Sequence, residues 1–196
     1  MVISTTTGDE VQSFFLSGKY GDQIGSNVSL SMDGKTSNLV HVTKTDSFYV
    51  LFYTANSLYG YALKDLYSMA TGSESQMSSL KRDPQWEKMI DSTTHRIPLS
   101  RSSSGEIHYL LKVPGRSGKN ILVVKLDTCE LLDGQSLASL WVIETANVLS
   151  EPVLGYYRPD VLDIVIESEV GPNRKKVWKP ISLFSLPLVF AYERSA

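Results

Sequence analysis

The most regular alternation of hydrophobic and polar positions lies between residues 106 and 127. An alternation with a period of two predicts a β-strand with one buried face. A turn at Pro114-Gly115 follows it, and an apolar, β-branched run returns at 121–126. The stretch therefore predicts a long β-hairpin. A symmetric loop would pair Leu111 with Leu122, Tyr109 with Val124 and Ile107 with Leu126.

Similar patterns predict further strands on both sides of this hairpin. Short apolar runs are separated by turn signals such as Asp33-Gly34, and runs of this length are typical of strands. The last predicted strand contains Pro180 and Pro187, which cannot donate ladder hydrogen bonds and so favour an edge position. The predicted strands cover residues 28–32, 39–43, 47–54, 161–170, a stretch beginning near 177, and 181–192.

The hydrophobic period changes to that of a helix in the middle of the chain. Apolar residues between 58 and 70 fall on one helical face, and Gly72 follows at a C-cap position. Asp83-Pro84 then has the form of an N-cap with proline at the first helical position. These signals predict a helical insert around residues 58–91. A further helix is predicted at 135–149, although its β-branched segment 141–145 is equally compatible with a strand.

The expected fold class is α+β and β-rich: an antiparallel sheet or sandwich of hairpins with the helical insert. Residues 1–27 are rich in Ser, Thr and Gly and are predicted to form a flexible N-terminal arm. The remainder, 28–196, is expected to be a single β-rich domain.

Composition narrows the class of protein. The 196 residues carry a formal net charge of −2, with 42% hydrophobic and 20% charged residues, which is ordinary for a folded chain. Cys129 is the single cysteine, so an intrachain disulfide is excluded and a reducing, intracellular setting is expected. No apolar run approaches 18 residues, so we expect a soluble protein without a transmembrane helix.

Motifs for catalysis or cofactor binding are weak. Gly115 to Lys119 resembles a phosphate-binding loop, but Val113 stands where the first glycine belongs, Asn120 follows the lysine, and a strand follows instead of a helix. No histidine has metal-ligand spacing. We therefore expect no cofactor and no metal site.

Two enzyme hypotheses remain open. Cys129 could act as a nucleophile with His41, His95 or His108 as its base, although no glycine elbow or helix N-terminus accompanies it. Asp163, Glu167 and Glu169 share a strand face and could take part in carboxylate chemistry. A solvated acidic face opposite lysines is the simpler interpretation.

Basic residues cluster at two predicted turns and could bind an anionic partner, such as a nucleic acid or a membrane surface. This predicted basic patch consists of Lys112, Arg116, Lys119, Arg174, Lys175, Lys176 and Lys179. Four tyrosines that are close in sequence could form an exposed aromatic surface for stacking, or core and rim positions. They are Tyr49, Tyr53, Tyr59 and Tyr61.

The sequence favours a non-enzymatic structural or interaction protein, either self-assembling in a matrix-like or capsid-like manner or acting as an adaptor. Its expected partners are other copies of the chain, another protein, or an anionic surface held by the basic hairpin tips. The alternatives are an enzyme whose site assembles only in three dimensions, and a single-stranded nucleic-acid-binding domain.

Overall fold

A computed structural model describes residues 2–7, 10–73, 79–99, 105–115, 118–159, 161–170 and 175–183. The chain divides into two compact units, 1–99 and 100–196. The sequence analysis predicted one domain over 28–196 instead, because apolar patterning shows where chain is buried but not which buried segments share a core.

Within the described residues, the first unit contains seven strands in two antiparallel sheets. One sheet has the order β1-β2-β3 and the other has the order β4-β5-β6-β7, so strands that are consecutive in sequence are neighbours in space. The strands are β1 (Val2–Thr7), β2 (Glu10–Leu16), β3 (Gln23–Ser31), β4 (Ser37–Val42), β5 (Phe48–Tyr53), β6 (Leu58–Ala62) and β7 (Arg96–Ile97).

The N-terminal segment is part of this unit rather than a flexible arm. Residues 2–7 and 10–16 pair as β1 and β2, and Val11 and Phe15 lie in a core shared with β3, β5, β6 and a helix. The Ser- and Thr-rich composition that indicated an arm is also compatible with a strand, because threonine fits a pleated surface well.

Two short helices lie in the described part of this unit. Helix α1 spans Leu63–Thr71 and ends at Gly72, whose φ of 66° gives the left-handed C-cap that the sequence indicated. Helix α2 spans Pro84–Glu87, and the Asp83 side chain accepts a hydrogen bond from the Gln85 N–H, as expected of an N-cap. Residues 58–62 form β6 and not the first turn of the predicted helix, so the insert is shorter than expected.

The described ranges of the second unit also form two antiparallel sheets, with orders β11-β10-β9-β8 and β12-β13-β14. Its core combines apolar side chains from both sheets, among them Leu122, Leu131 and Ile166. The strands are β8 (Ile107–Gly115), β9 (Gly118–Lys125), β10 (Thr128–Leu132), β11 (Ser139–Glu144), β12 (Val153–Arg158), β13 (Val161–Val170) and β14 (Lys175–Ser182).

The predicted hairpin is β8–β9, and most of its register is confirmed. Leu111 pairs with Leu122 and Tyr109 pairs with Val124. Ile107 pairs with Lys125 instead of Leu126, because the register shifts between Ile107 and Tyr109. An extra residue on one strand at such a bulge changes every pairing beyond it, and a pattern-based register has no signal for it.

The helix predicted at 135–149 is wrong. Residues 139–144 form strand β11, which pairs with β10 over Thr128–Leu132. Trp141, Val142 and Ile143 are aromatic or β-branched, and such residues pack well on a sheet. The preceding chain turns at Leu137, whose φ is 56°.

The β-rich α+β class with antiparallel sheets is confirmed. Most of the strand predicted at 181–192 lies outside the described residues. No helix in the described ranges has the length and apolar character needed to cross a membrane.

Candidate interaction surfaces

Two lysines of the predicted basic patch lie together near the tip of the β8–β9 hairpin. Lys112 is opposite Ile121, and Lys119 is opposite Pro114, two positions closer to the tip. Residues directly opposite each other share a sheet face, so the two lysines occupy diagonal positions on one face. Both side chains are exposed.

The beginning of β9, next to this tip, is fixed to the neighbouring turn of the same sheet. The buried Asn120 side chain accepts a hydrogen bond of 3.1 Å from the Gly134 N–H through its Oδ1. A Cβ at Gly115 would lie 2.6 Å from the same oxygen, so a larger residue there would displace the Asn120 side chain from its present position. The two lysines therefore stand on a well-anchored part of the hairpin.

The second group of predicted basic residues is only partly described. Lys176 is exposed, and its Nζ lies 3.3 Å from Glu167 Oε1. Arg116 and Arg174 lie outside the described residues, as do the side chains of Lys175 and Lys179. The one described lysine here is therefore offset by a carboxylate, whereas no ion pair involves Lys112 or Lys119 in the described part of the chain.

The acidic residues of β13 share one face of the strand, and two of them accept hydrogen bonds that hold a neighbouring segment in place. Glu167 accepts a hydrogen bond of 3.0 Å from the Ser150 hydroxyl, and Glu169 accepts one of 3.2 Å from the Asn147 side chain. Asp163 is fully buried. The carboxylates thus hold the segment 147–150 against β13, where Val148 and Ser168 also form a bridge.

Three tyrosines of the predicted aromatic surface are buried. Tyr49, Tyr59 and Tyr61 are at most 7% exposed, and Tyr53 is half-buried. Tyr59 and Tyr61 belong to the core of the first unit. These three rings do not form an exposed stacking platform. They are divided between the two faces of the β4-β5-β6-β7 sheet, and both faces are covered at these positions.

The Tyr49 hydroxyl joins β5 to helix α2. It donates a hydrogen bond of 2.6 Å to Glu87 Oε1 and accepts one of 3.0 Å from the Asp83 N–H. Burial, helped by the Glu87 carboxylate, raises the pKa of Tyr49 above its ordinary value. The carboxylate of Asp83 in turn accepts a hydrogen bond of 2.8 Å from Thr45.

The candidate thiol nucleophile is in an inert setting. Cys129 is fully buried, and burial raises the pKa of its thiol to about 12. His41 stacks on Trp86 with centroids 4.8 Å apart, and His95 stacks on Tyr61 at 4.3 Å. Within the described ranges, no group of three or more His, Cys, Asp or Glu side chains could hold a metal ion.

A groove beside helix α1 carries further basic residues. It has a volume of about 700 Å³, and its residues Lys81 and Arg82 immediately precede the Asp83 cap. Asp65 binds Arg82 through contacts of 2.6 Å and 2.9 Å. The groove is lined by Lys64, Asp65, Ser68, Met69, Leu80, Lys81, Arg82 and His95.

The sequence analysis did not predict this groove, in which Lys64 of α1 joins Lys81 and Arg82. The only signal that could have joined them is the helical pattern at 58–70, because it places Lys64 away from the apolar face.

Comparison with known proteins identifies relatives for almost the whole chain. The FAM234A/B beta-propeller family matches residues 1–179. Protein FAM234A of Homo sapiens is 41% identical over 175 residues, which cover 89% of this chain and 31% of the human protein. Protein FAM234A of Rattus norvegicus is 38% identical over 192 residues, covering 96% of this chain and 34% of the rat protein.

A second branch of relatives is more distant. Protein FAM234B of Homo sapiens is 28% identical over 168 residues, covering 83% of this chain and 27% of that protein. No solved structure matches the chain.

The chain spans about a third of the length of the FAM234A proteins it matches. Its sheets of three or four antiparallel strands, each joining strands that are consecutive in sequence, have the form of propeller blades. Fold and sequence similarity agree, and the chain belongs to the FAM234A/B beta-propeller family.

Proposed function

We propose that this chain is a non-enzymatic interaction module that contacts an acidic surface of a partner protein through the tip of its β8–β9 hairpin. The observation that supports this function best is the diagonal placement of the exposed Lys112 and Lys119 side chains on one face of the hairpin. Propeller domains commonly present binding surfaces on a rigid scaffold, and the anchored end of β9 suits this use.

An acidic protein surface fits this tip better than a nucleic acid does. The chain as a whole carries a net charge of −2, so its cationic area is local and small beside the continuous phosphate backbone of a nucleic acid. A small cationic site is sufficient for a local acidic patch, where complementary charges mainly increase the association rate and specificity.

The groove beside α1 supports the same type of contact in the first unit. Asp65 offsets Arg82, but Lys64 and Lys81 line the groove as well. Met69 is 54% exposed at this groove. An acidic segment with an apolar side chain would complement both the charge and the exposed methionine.

Self-association is a second component of the proposal. Val153 and Trp178 are 59% and 40% exposed. Val153 pairs with Val165 and Trp178 pairs with Glu167, so the two exposed apolar side chains share one face of the β12–β14 sheet. Exposed apolar groups beside an ion pair are typical of an association surface. Light scattering across protein concentration tests this component, and a strict monomer up to high concentration would contradict it.

The charge contact is tested by binding to labelled poly-glutamate, a single-stranded oligonucleotide and phosphatidylserine vesicles. We expect salt-sensitive binding to poly-glutamate in particular. Preferential binding to the oligonucleotide or to the vesicles would replace the acidic protein by another partner. Absence of binding to all three at low salt would overturn the proposed function.

A further inference from the structure

An asparagine in the first unit has the sequence and the geometry of a glycosylation acceptor. Residues Asn27-Val28-Ser29 match the N-x-[ST] pattern, with a residue other than proline in the middle. A match of this kind is common by chance. Whether it is a usable acceptor site depends on how the strand presents the Asn27 and Ser29 side chains.

Strand β3 bulges at this position. Phe15 pairs with Ile24 and Ser13 pairs with Val28, so Phe14 alone stands opposite residues 25–27. A bulge leaves the extra residues outside the regular ladder. Asn27 is therefore the last residue of the bulge, directly before the ladder resumes at Val28, and its side chain is exposed.

The side chains on either side of Val28 point outward together. Val28 is only 5% exposed and belongs to the core, while Asn27 and Ser29 are both exposed. Alternate residues of a strand point to the same face, so the asparagine amide and the serine hydroxyl are presented on one solvent face. An enzyme that must engage both groups can reach them from one side.

The acceptor atom is accessible. Asn27 Oδ1 accepts a hydrogen bond of 2.9 Å from the Gln23 side chain. Its Nδ2 atom donates no hydrogen bond to any residue in the described ranges. We propose that Asn27 is an N-glycosylation site of this protein.

The chemistry requires a lipid-linked oligosaccharide as the donor. A bond forms between Asn27 Nδ2 and the anomeric carbon of the sugar, while the bond from that carbon to the lipid pyrophosphate breaks. The amide loses one proton, the lipid pyrophosphate leaves, and nothing is oxidised or reduced. The transfer occurs in the lumen of the secretory pathway, so the proposal places this unit there.

The single cysteine is compatible with that compartment. One cysteine cannot form an intrachain disulfide in any compartment, so its number does not distinguish a reducing from an oxidising setting. Cys129 is also fully buried, so it offers no exposed thiol for oxidation or intermolecular pairing.

The test uses the full-length protein, purified from cultured animal cells. Release of N-glycans with a glycosidase in water labelled with ¹⁸O converts a glycosylated asparagine to an ¹⁸O-labelled aspartate. Residues 20–35 form one tryptic peptide with Asn27 as the only asparagine, so mass spectrometry reports on this position directly. We expect the labelled aspartate at position 27.

Matched variants separate modification at this site from changes elsewhere. Asn27→Gln and Ser29→Ala should each remove the label and the mobility shift on glycosidase treatment, whereas Ser29→Thr should retain them. Asn38 is also exposed but lacks the motif, and it should stay unmodified. An Asn27 peptide without label in the wild-type protein would overturn the proposal.

Discussion

At the scale of single residues, Trp86 is enclosed by aromatic rings. It is fully buried, and His41 and Tyr49 each lie 4.8 Å from it between ring centroids. We predict that Trp86→Ala lowers the free energy of unfolding by about 3–5 kcal/mol, because it removes a large buried ring and leaves a cavity. Urea denaturation followed by circular dichroism measures this change.

Trp178→Ala is the matched control, since it deletes the same side chain where 40% of it is exposed. Its cost should be well below that of Trp86→Ala. Equal costs for the two variants would contradict the enclosed position of Trp86.

The ionisation of Tyr49 makes the stability of the folded protein depend on pH. Burial raises its pKa in the folded protein, so above the ordinary tyrosine pKa of about 10 the unfolded chain loses a proton that the folded chain retains. The stabilisation is complete below that pKa and is lost as pH rises toward the folded pKa. We predict that Tyr49→Phe, while less stable at neutral pH, shows a shallower loss of stability above pH about 10.

Tyr20→Phe serves as the control because Tyr20 is 70% exposed. Urea midpoints measured between neutral and alkaline pH should fall for Tyr20→Phe as they do for the wild type. A Tyr49→Phe variant with the same alkaline slope as the wild type would be inconsistent with the raised pKa.

The reactivity of Cys129 follows from its burial. Its thiol has a pKa of about 12, so almost none of it is thiolate at neutral pH, and the thiolate is the reactive form. We predict that a disulfide reagent such as dithionitrobenzoate reacts with one thiol per chain in urea and reacts very slowly without it. Rapid reaction of the native protein would show that the thiol is accessible.

Residue-scale features were predictable from sequence where the signal is local. The Asp83-Pro84 cap and the Gly72 cap follow from neighbouring residues, and both are confirmed. The Tyr49–Glu87 hydrogen bond joins residues 38 positions apart, and neither residue's neighbours indicate the other. Contacts of that kind depend on how elements pack.

At the scale of elements, β3 and α1 approach closely at Gly25. Its φ is +71°, and a Cβ there would lie 2.3 Å from the carbonyl oxygen of Ala70. We predict that Gly25→Ala costs about 2–4 kcal/mol, because a left-handed conformation and a backbone clash add together. Thermal or urea denaturation provides the measurement.

Gly21→Ala is a close control, since Gly21 has a φ of +78° but no heavy atom within 4 Å of its Cβ position. It should carry only the conformational cost of about 1–2 kcal/mol. If the two alanine variants were equally stable, the close packing of α1 on β3 would be wrong.

The predicted elements succeeded where one periodicity extends over several residues. The span 161–170 predicted from alternation is the whole of β13, and the centre of the β8–β9 register is confirmed. The helix prediction at 135–149 was wrong because leucines at helical spacing coincide there with a β-branched strand. A short apolar segment can satisfy both the helical period and the strand period. Bulges, such as the one beside Ile107, leave no mark in the pattern.

At the scale of the whole molecule, the sequence predicted the fold class but not how the strands are divided between two units. Antiparallel hairpins and a short helical insert are confirmed. The division into units at residues 99 and 100 was not predicted, because the sequence analysis expected one domain over 28–196. A repeating blade architecture carries no strong motif here, and the family relationship supplies that description.

The predicted basic patch likewise shows that the sequence alone does not reveal which residues lie together in space. The sequence placed Lys112 and Lys119 near one turn, and the register adds that they share a face. The pairing of Lys176 with Glu167 was one of several possible pairings on that sheet. Charged residues can be counted from a sequence. Which of them are neutralised by an ion pair depends on the register of the strands.

The most direct test of the proposed interaction is the affinity of a Lys112→Glu/Lys119→Glu variant for labelled poly-glutamate. The control variant is Lys35→Glu/Lys88→Glu, which makes the same change in net charge at two lysines that are exposed in the first unit. Fluorescence anisotropy at low salt and at 0.15 M salt gives the dissociation constants. We predict binding about fivefold or more weaker for the hairpin variant, since two contacts become repulsive, and a smaller change for the control. Equal weakening in both variants, or none in either, would contradict the hairpin tip as the binding surface.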